Sequence, residues 1–136
     1  MFLVDTNVIS EIRRGLRADA GVARFILQTE ADLFLPVQVV GELQSGVQLL
    51  RNRGDNIQAE RLDVWLETIL ERFAPRILSF DLECARAWGK LRGGSDQNQI
   101  DKQIAAIALV YDLAIATRNV THYAHAGVRL FNPFTA

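Results

Sequence analysis

The first residues whose side chains could take part in a reaction are Asp5, Thr6 and Asn7, which directly follow the apolar run MFLV. A carboxylate at the end of a buried strand is suited to bind a metal ion or to act as a general base, with the hydroxyl and amide as supporting groups. The structural alternative is that Asp5 caps the helix SEIRRG, although Asn7 or Thr6 could cap it instead. We favour the functional interpretation, because ligands bind outside the carboxyl ends of the strands in open parallel sheets.

A second acid, Glu42, lies within the apolar helical pattern PVQVVGELQSGVQLL. Gly41 and Gly46 flank it, although each lowers helix propensity by roughly 1 kcal/mol relative to alanine. The two glycines would let a substrate or another backbone approach the carboxylate closely, and a tight helix crossing explains them equally well. Taken alone, Glu42 is also compatible with a boundary residue whose carboxylate is in water.

A third acid, Asp101, falls in the first turn of the predicted helix QIDKQIAAIALVYD. The helix dipole and the free N–H groups of that turn favour a negative charge, which is a sufficient structural reason for an aspartate. Ile104, Ala105 and Ala108 share its side of the helix and are all apolar. Asp101 therefore lies in line with the buried face, near the sheet, where a metal ligand is expected.

These three acids come from a strand end, a helix interior and a helix start. Crowded carboxylates repel one another and raise one another's pKa, so such a cluster is tolerable mainly when a divalent cation neutralises it. Oxygen ligands suit Mg²⁺ or Mn²⁺. The expected chemistry is hydrolysis by a metal-bound water whose pKa the ion lowers, with the metal also stabilising the developing negative charge.

The elements that must position these acids alternate along the chain. Short apolar runs predict strands at residues 2–4, 33–35, 77–80, 114–117 and 128–131. Helical periodicity predicts helices at 10–15, from Pro36 to about Leu50, and over about 62–73, 82–91 and 100–111. Strands that alternate with helices favour an α/β fold, a three-layer α/β/α sandwich around a mainly parallel sheet of four to five strands.

Length and composition predict one domain over residues 1–136. The chain is long enough to bury a core without disulfides or metal, and no repeat, low-complexity segment or linker divides it. Its formal net charge of −1 shows no overall excess of positive charge for nucleic acid, so any such site must be local. The basic residues are nevertheless mostly arginine, thirteen against two lysines, which suits phosphate and reflects codon bias equally well.

The remaining composition predicts a cytoplasmic protein. Cys84 is the only cysteine, so no internal disulfide is possible, and its apolar context predicts a buried, inert thiol. The N-terminal apolar run has no basic segment before it and is cut at Asp5, which argues against a signal peptide. No uninterrupted apolar run approaches the roughly 18 residues of a membrane span, so we expect no membrane partner.

Four motifs, in order along nearly the whole chain, resemble the PIN domain, specifically the VapC-type toxins of bacterial toxin–antitoxin pairs. They are VDTNVISE, VVGEL, DKQIAAIAL, and TRNVTHY followed by GVRLFNPF. The resemblance implies a PIN-like fold and a metal-dependent ribonuclease that cuts single-stranded or loop RNA. It also implies a homodimer that a cognate antitoxin holds inactive. Asp5, Glu42 and Asp101 match the family's acidic triad, as catalytic and metal-binding residues, and Thr6 matches a hydroxyl beside the site.

The sequence departs from the family where PIN domains commonly have a fourth acid, because TRNVTHY offers Asn119 at one candidate position and His122 at the other. A second metal ion would then have fewer anionic ligands until the substrate phosphate supplies one. If His122 faces the site, its imidazole would shift the preference from Mg²⁺ towards Mn²⁺, whereas an exposed loop histidine is equally plausible. Asn119 is expected to bind water or phosphate, or to cap a helix. His125 receives no role.

Arg118 is a candidate for phosphate binding, or it pairs with Asp101 or another carboxylate and is structural. Two other functional classes are compatible with parts of the pattern. Aspartyl-phosphate enzymes of the haloacid dehalogenase type normally have a second aspartate two positions after the first, where this chain has Asn7. A PIN-like module that binds nucleic acid or a partner protein without cutting is the stronger alternative, because the fourth acid is absent.

The inhibitory partner follows from the resemblance and not from composition or spacing. An acidic pocket is a natural receptor for an arginine that the antitoxin would insert, since this arginine would pair with the carboxylates and exclude the cation. Apolar side chains of the second and fourth predicted helices, at 36–50 and 82–91, would suit a homodimer interface, and they would equally complete a monomer's core.

Overall fold

The computed structural model describes residues 1–124 and 126–135. Within them, five strands form one sheet in which every neighbouring pair is parallel. The strands are β1 (Phe2–Val4), β2 (Leu33–Pro36), β3 (Ile77–Leu78), β4 (Ala114–Ala116) and β5 (Leu130–Phe131). All five strands were predicted from the sequence, and the observed strands are shorter than predicted at β3, β4 and β5.

Six α-helices within the same residues flank the sheet and complete the α/β/α sandwich that the sequence predicts. They are α1 (Thr6–Ile12), α2 (Ala20–Thr29), α3 (Val37–Asn52), α4 (Asn56–Phe73), α5 (Leu82–Arg92) and α6 (Gln99–Tyr111). Short 3₁₀ turns occupy Gly15–Arg17, Glu30–Asp32, Ala74–Arg76 and Val120–Tyr123.

The strand order β3-β2-β1-β4-β5 places the first strand in the centre of the sheet. From β1 the chain builds outward through β2 and β3 on one side, and β4 and β5 then extend the other side. The connections therefore change direction between β1 and β4, and such a switch point opens a crevice at the carboxyl ends of the strands. Residues that follow β1 and β4 must line this crevice.

Strand β1 is stabilised by the burial of its side chains. Leu3 and Val4 are fully buried, in register with Ile115 and Ala116 of β4. A strand covered on both faces reads as a continuous apolar run, which is why MFLV carries no alternation. Full burial of each such side chain contributes about 1.5–3 kcal/mol. The backbone N–H of Asp5 extends the pairing by donating to the carbonyl of Ala116 at 3.0 Å. The end of β1 is thus a fixed platform.

Three helices differ from the sequence prediction. Helix α1 begins at Thr6 and not near Ser10, because Asp5 caps it. Helix α2 was not predicted, although Asp19 accepts hydrogen bonds from two N–H groups of its first turn and an apolar stripe follows. Helix α4 begins at Asn56, six residues before the predicted start, because Asp55 caps it by accepting from the N–H of Gln58 at 3.3 Å.

The prediction of a buried thiol is confirmed, since Cys84 is fully buried in the core. Among the described residues, no helix combines the length and the apolar character that crossing a membrane requires. His125, to which the sequence analysis assigned no role, lies outside the described residues.

Candidate functional site

Asp5 has the capping role that the sequence left as one of two alternatives, and its place at the end of β1 is compatible with the other. The side chain is 5% exposed. Its Oδ1 accepts a hydrogen bond from the backbone N–H of Thr6 at 2.8 Å, so Asp5 is the N-cap of α1 and neither Thr6 nor Asn7 is. The same carboxylate also faces the crevice between β1 and β4. The cap keeps the carboxylate in place without removing it from the site.

The other oxygen of Asp5 is surrounded by donors. Oδ2 accepts from the Thr117 hydroxyl at 2.8 Å, from the Tyr123 hydroxyl at 3.1 Å and more distantly from the Asn7 amide at 3.5 Å. A carboxylate oxygen has about two lone-pair sites. Oδ2 is therefore committed to the protein, whereas Oδ1, with one donor, retains capacity for a ligand.

Glu42 reaches the same place from α3. Its Oε1 accepts a hydrogen bond from the Thr6 hydroxyl at 2.8 Å, which links it to the residue after Asp5. Loss of hydration raises the pKa of Glu42, and the negative charges of Asp5 and Asp101 raise it further, against the opposing effect of the Thr6 hydrogen bond. Glu42 is exposed as a residue, yet its carboxyl group senses both aspartates. The three acids therefore share one electrostatic environment.

Asp101 completes the group from the first turn of α6. Its carboxylate contacts two side chains of the 3₁₀ turn after β4, with the Tyr123 hydroxyl 3.3 Å from Oδ1 and His122 Nδ1 3.1 Å from Oδ2. Burial raises the pKa of Asp101, and the charge of Asp5 raises it further. His122 and Tyr123 oppose that rise. The structure thus brings His122 to the site, which the sequence left open.

Tyr123 is a site residue that the sequence analysis missed. Its side chain is 2% exposed, and its one hydroxyl lies between Asp5 Oδ2 and Asp101 Oδ1. Burial and the two carboxylates raise the pKa of this phenol far above its usual value, so the hydroxyl keeps its proton. The sequence did contain a signal for Tyr123, because this residue is next to His122 in the segment that follows β4. A search for acidic residues alone does not find a tyrosine.

Thr117 is a second residue that was missed, and it organises the end of β4. It is fully buried, and its hydroxyl donates to Asp5 while accepting from the Asn7 amide at 3.3 Å and from the Asn119 N–H at 3.0 Å. Asn7 in turn accepts from the N–H of Arg118 at 3.0 Å. These bonds join the ends of β1 and β4 across the switch point, so the two halves of the crevice are fixed relative to each other.

Asn119 and Arg118 lie at this rim with exposed side chains. Asn119 occupies the N-cap position of the 3₁₀ turn, but its side chain makes no capping hydrogen bond, so the capping alternative is wrong. The Arg118 guanidinium lies 3.9 Å from the ring centroid of Phe134, a cation–π contact. It forms no ion pair with Asp101 or another carboxylate of residues 1–124 and 126–135, so the expected structural pairing is not found.

The glycines beside Glu42 have different surroundings. A Cβ at Gly46 would lie 3.4 Å from Leu62 Cδ2, an ordinary contact with α4. Gly46 therefore faces the crossing of α3 and α4, as one of the two explanations expects. A Cβ at Gly41 would meet no atom of the described structure within 4 Å. No close approach of another backbone explains the glycine at position 41 in the described structure.

The carboxylates are linked through Thr6 and Tyr123 and do not form a closed cage. Thr6 donates its backbone N–H to Asp5 and its hydroxyl to Glu42, and the Tyr123 hydroxyl lies between Asp5 and Asp101. In the described part of the chain, no group of three or more His, Cys, Asp or Glu side chains is arranged to hold a metal ion. The donor set nevertheless suits a divalent cation, because it consists of carboxylate oxygens whose mutual repulsion such an ion would relieve.

Comparison with known proteins identifies the family to which the chain belongs. Residues 2–127 match the PIN domain. The chain belongs to the PIN-domain family. Toxin FitB of Neisseria gonorrhoeae is 37% identical over 98% of this PIN-domain chain and 99% of its own length. The VapC ribonuclease Y4jK of Sinorhizobium fredii is 30% identical over 98% of both chains. The resemblance inferred from the four motifs is thereby confirmed.

Solved structures confirm the PIN-like α/β/α fold. The crystal structure of FitAcB from Neisseria gonorrhoeae superposes with a TM-score of 0.81 at 35% identity, covering all of both chains. VapBC and toxin–antitoxin complexes at 18 to 20% identity share the fold, and a likeness at that identity shows the fold alone.

Proposed function

We propose that this PIN-domain protein is a metal-dependent endoribonuclease, the toxin of a toxin–antitoxin pair. The observation that carries the proposal is the convergence of Asp5, Glu42 and Asp101 at the β1/β4 switch point, where Thr6 links Asp5 to Glu42 and Tyr123 links Asp5 to Asp101. The ribonuclease relative and the toxin relative, which this chain matches over nearly its whole length, support both parts.

Asp5, Glu42 and Asp101 would hold Mg²⁺ or Mn²⁺. When bound, the ion supplies an activated water and charge stabilisation for hydrolysis of a phosphodiester bond. Glu42 is an exposed residue of α3. The RNA backbone would therefore reach the carboxylates from the Glu42 side.

The surrounding residues would then act on the carboxylates and the substrate. Thr6 orients Glu42 through its hydroxyl, and Thr117 with Tyr123 orients Asp5. Arg118, which has no carboxylate partner among the described residues, would contact a phosphate of the RNA backbone. Asn119 would donate to water or phosphate from the same rim. The cation–π contact with Phe134 keeps Arg118 at this rim.

The test is cleavage of labelled structured and unstructured RNA by the protein free of any antitoxin. We expect cleavage with Mg²⁺ or Mn²⁺ and none with EDTA, because without the ion no group lowers the pKa of the attacking water or neutralises the charge that develops on the phosphate. Absence of cleavage with both metals would contradict the proposal. It would favour instead a PIN-like module that binds nucleic acid or a partner protein without cutting. The open arrangement of the acids and the absence of the fourth acid support this alternative.

The cognate antitoxin is the proposed protein partner. Its inhibitory group would be a basic side chain, best an arginine, inserted among Asp5, Glu42 and Asp101, since it would pair with the carboxylates and displace the cation. The raised pKa values of Glu42 and Asp101 support this, because any positive charge placed there relieves the same repulsion.

A homodimer is the proposed assembly. Apolar side chains that remain exposed on helices α3, α4 and α6 support it, and they include Leu49, Ile57, Val64, Ile100 and Leu109, each at least 41% exposed. Ile57 and Val64 line one surface pocket, and contiguous exposed apolar surface commonly marks protein–protein contacts.

The position of His122 predicts a metal preference. Because its Nδ1 lies 3.1 Å from Asp101, the imidazole is near enough to the site to favour Mn²⁺ over Mg²⁺. We expect the His122→Asp variant to lower the ratio of the Mn²⁺-supported to the Mg²⁺-supported cleavage rate severalfold. His122→Asn, which restores no acid, is the control, and rates are measured at saturating metal. An unchanged ratio in His122→Asp would remove this role.

A further inference from the structure

A polar cleft of about 370 Å³ lies beside the candidate site, between the end of α5, the loop before α6 and the first turns of α6. Its volume falls within the roughly 300–1,000 Å³ of small-molecule sites. Leu91 and Ala126 provide apolar walls, and Arg92, Lys102 and His122 provide basic groups. A cleft with apolar walls and several donors is suited to a ligand that is flat, polar at its edges and negatively charged nearby.

His122 belongs both to the lining of the cleft and to the candidate functional site. The residue lines the cleft and also contacts Asp101 through Nδ1 at 3.1 Å. A ligand in the cleft would therefore lie directly next to the three acids. Whatever occupies the acids and whatever occupies the cleft must be parts of one molecule or two immediate neighbours.

The charge on Lys102 is the feature of the cleft that indicates an anionic ligand. Lys102 follows Asp101 on α6 and is partly buried, yet it forms no ion pair with any carboxylate in residues 1–124 and 126–135. Arg92, by contrast, pairs with Asp96. The cleft thus places one uncompensated cation beside an acidic site. An RNA strand needs this arrangement, because the acids repel the phosphates that flank the cleaved one.

We propose that the cleft is a subsite for one unpaired nucleotide of the RNA, adjacent to the phosphate that is cleaved. Lys102 contacts the phosphate of that nucleotide, and the base packs between His122 and the apolar walls formed by Leu91 and Ala126. A base can enter such a cleft only when it is turned out of a helix, as in single-stranded RNA and loops. The inference rests on the proposed function, since it names the part of the substrate that this site would recognise.

The test measures binding without cleavage. Fluorescence anisotropy of a labelled single-stranded RNA is recorded in EDTA with the wild type and with Lys102→Ala, and gel electrophoresis verifies that the RNA stays intact. We expect Lys102→Ala to bind about fivefold more weakly at ~0.1 M salt, with the slope of log K against log salt reduced by about 0.7, the value for one lost single-strand phosphate contact. Circular dichroism verifies that the variant is folded.

Lys90→Ala is the matched control, because Lys90 is exposed on α5 and lines a different cleft. We expect it to bind as the wild type does. A duplex of the same sequence is the second control, and its binding should not respond to Lys102→Ala. Equal loss for single strand and duplex, or equal loss in Lys90→Ala, would overturn the subsite, since the effect would then be general surface charge.

The two proposals can fail separately. Metal-dependent cleavage by the wild type together with unchanged binding by Lys102→Ala would overturn the subsite and leave the ribonuclease. Lys102-dependent binding of single-stranded RNA without cleavage under either metal would overturn the ribonuclease and support the subsite in a binding module. Absence of any single-stranded RNA binding by the wild type would overturn the subsite.

Discussion

The Asp5→Asn variant is expected to lose metal-dependent RNA cleavage by about 1,000-fold or more while remaining folded. The loss corresponds to ~4 kcal/mol of transition-state stabilisation, a reasonable share of what a bound metal ion supplies. The fold should persist because asparagine caps a helix as well as aspartate does, so the bond from the Thr6 N–H can be kept. Cleavage rates and circular dichroism of the two proteins check both statements.

Stability at different pH values shows whether Asp5 acts through its charge. Since Glu42 and Asp101 have raised pKa values, these two carboxyl groups bind more protons in the folded wild type than in the unfolded chain above the ordinary carboxyl range. Their contribution to the free energy of unfolding without metal therefore falls as pH rises through that interval. Asp5→Asn removes one cause of both shifts, so the fall should be shallower.

Denaturation in EDTA from about pH 4 to about pH 7 measures that slope. A steeper fall in Asp5→Asn than in the wild type would contradict the shared electrostatic environment. Full cleavage activity in a folded Asp5→Asn protein would contradict the role of Asp5 in the reaction. These two outcomes are independent, because one concerns the free protein and the other the reaction.

The architecture was predictable because it depends on patterns that local sequence records. The continuous apolar runs of β1 and β2 and the alternation with helices require a parallel sheet covered on both faces, which the structure shows. Helix α2 was the exception. Its C-terminal partner explains part of this, because Thr135 donates to Asp19 through both its N–H and its hydroxyl. That contact joins residues 116 positions apart and leaves no local signal.

The acids of the site were predictable for a different reason. Asp5 stands at a strand end, and Asp101 stands in line with an apolar helix face, so their positions follow from the fold class. The groups between them do not follow from it. Thr117 and Tyr123 reach Asp5 from more than 100 residues away, and a buried threonine or tyrosine has many structural roles. Only the strand order, with β4 next to β1, shows which hydroxyls meet which carboxylates.

The Tyr123→Phe variant is expected to bind Mn²⁺ about 10–100-fold more weakly than the wild type, a typical cost of removing a group that orients metal ligands. The prediction rests on the proposed metal site. The hydroxyl lies 3.1 Å from Asp5 Oδ2 and 3.3 Å from Asp101 Oδ1, so it holds the two carboxylates that would bind the ion in a fixed relation. Without the Tyr123 hydroxyl, no hydrogen-bond donor lies between the Asp5 and Asp101 carboxylates. Their relative position is then no longer fixed. Isothermal titration calorimetry with Mn²⁺ measures the effect without reference to cleavage.

Tyr111→Phe is the matched control, because it also removes one tyrosine hydroxyl that donates to an aspartate, Asp81, at 3.2 Å on the surface. It should bind Mn²⁺ as the wild type does. Tyr123→Phe should also unfold more easily, by about 1–3 kcal/mol, since Asp5 loses one of its donors and Asp101 Oδ1 loses its hydrogen bond to the hydroxyl. Stability alone does not separate a structural tyrosine from one that positions ligands. The separating result is the Mn²⁺ affinity of the folded variant, and an affinity equal to that of Tyr111→Phe would make Tyr123 a core residue that only happens to touch the site.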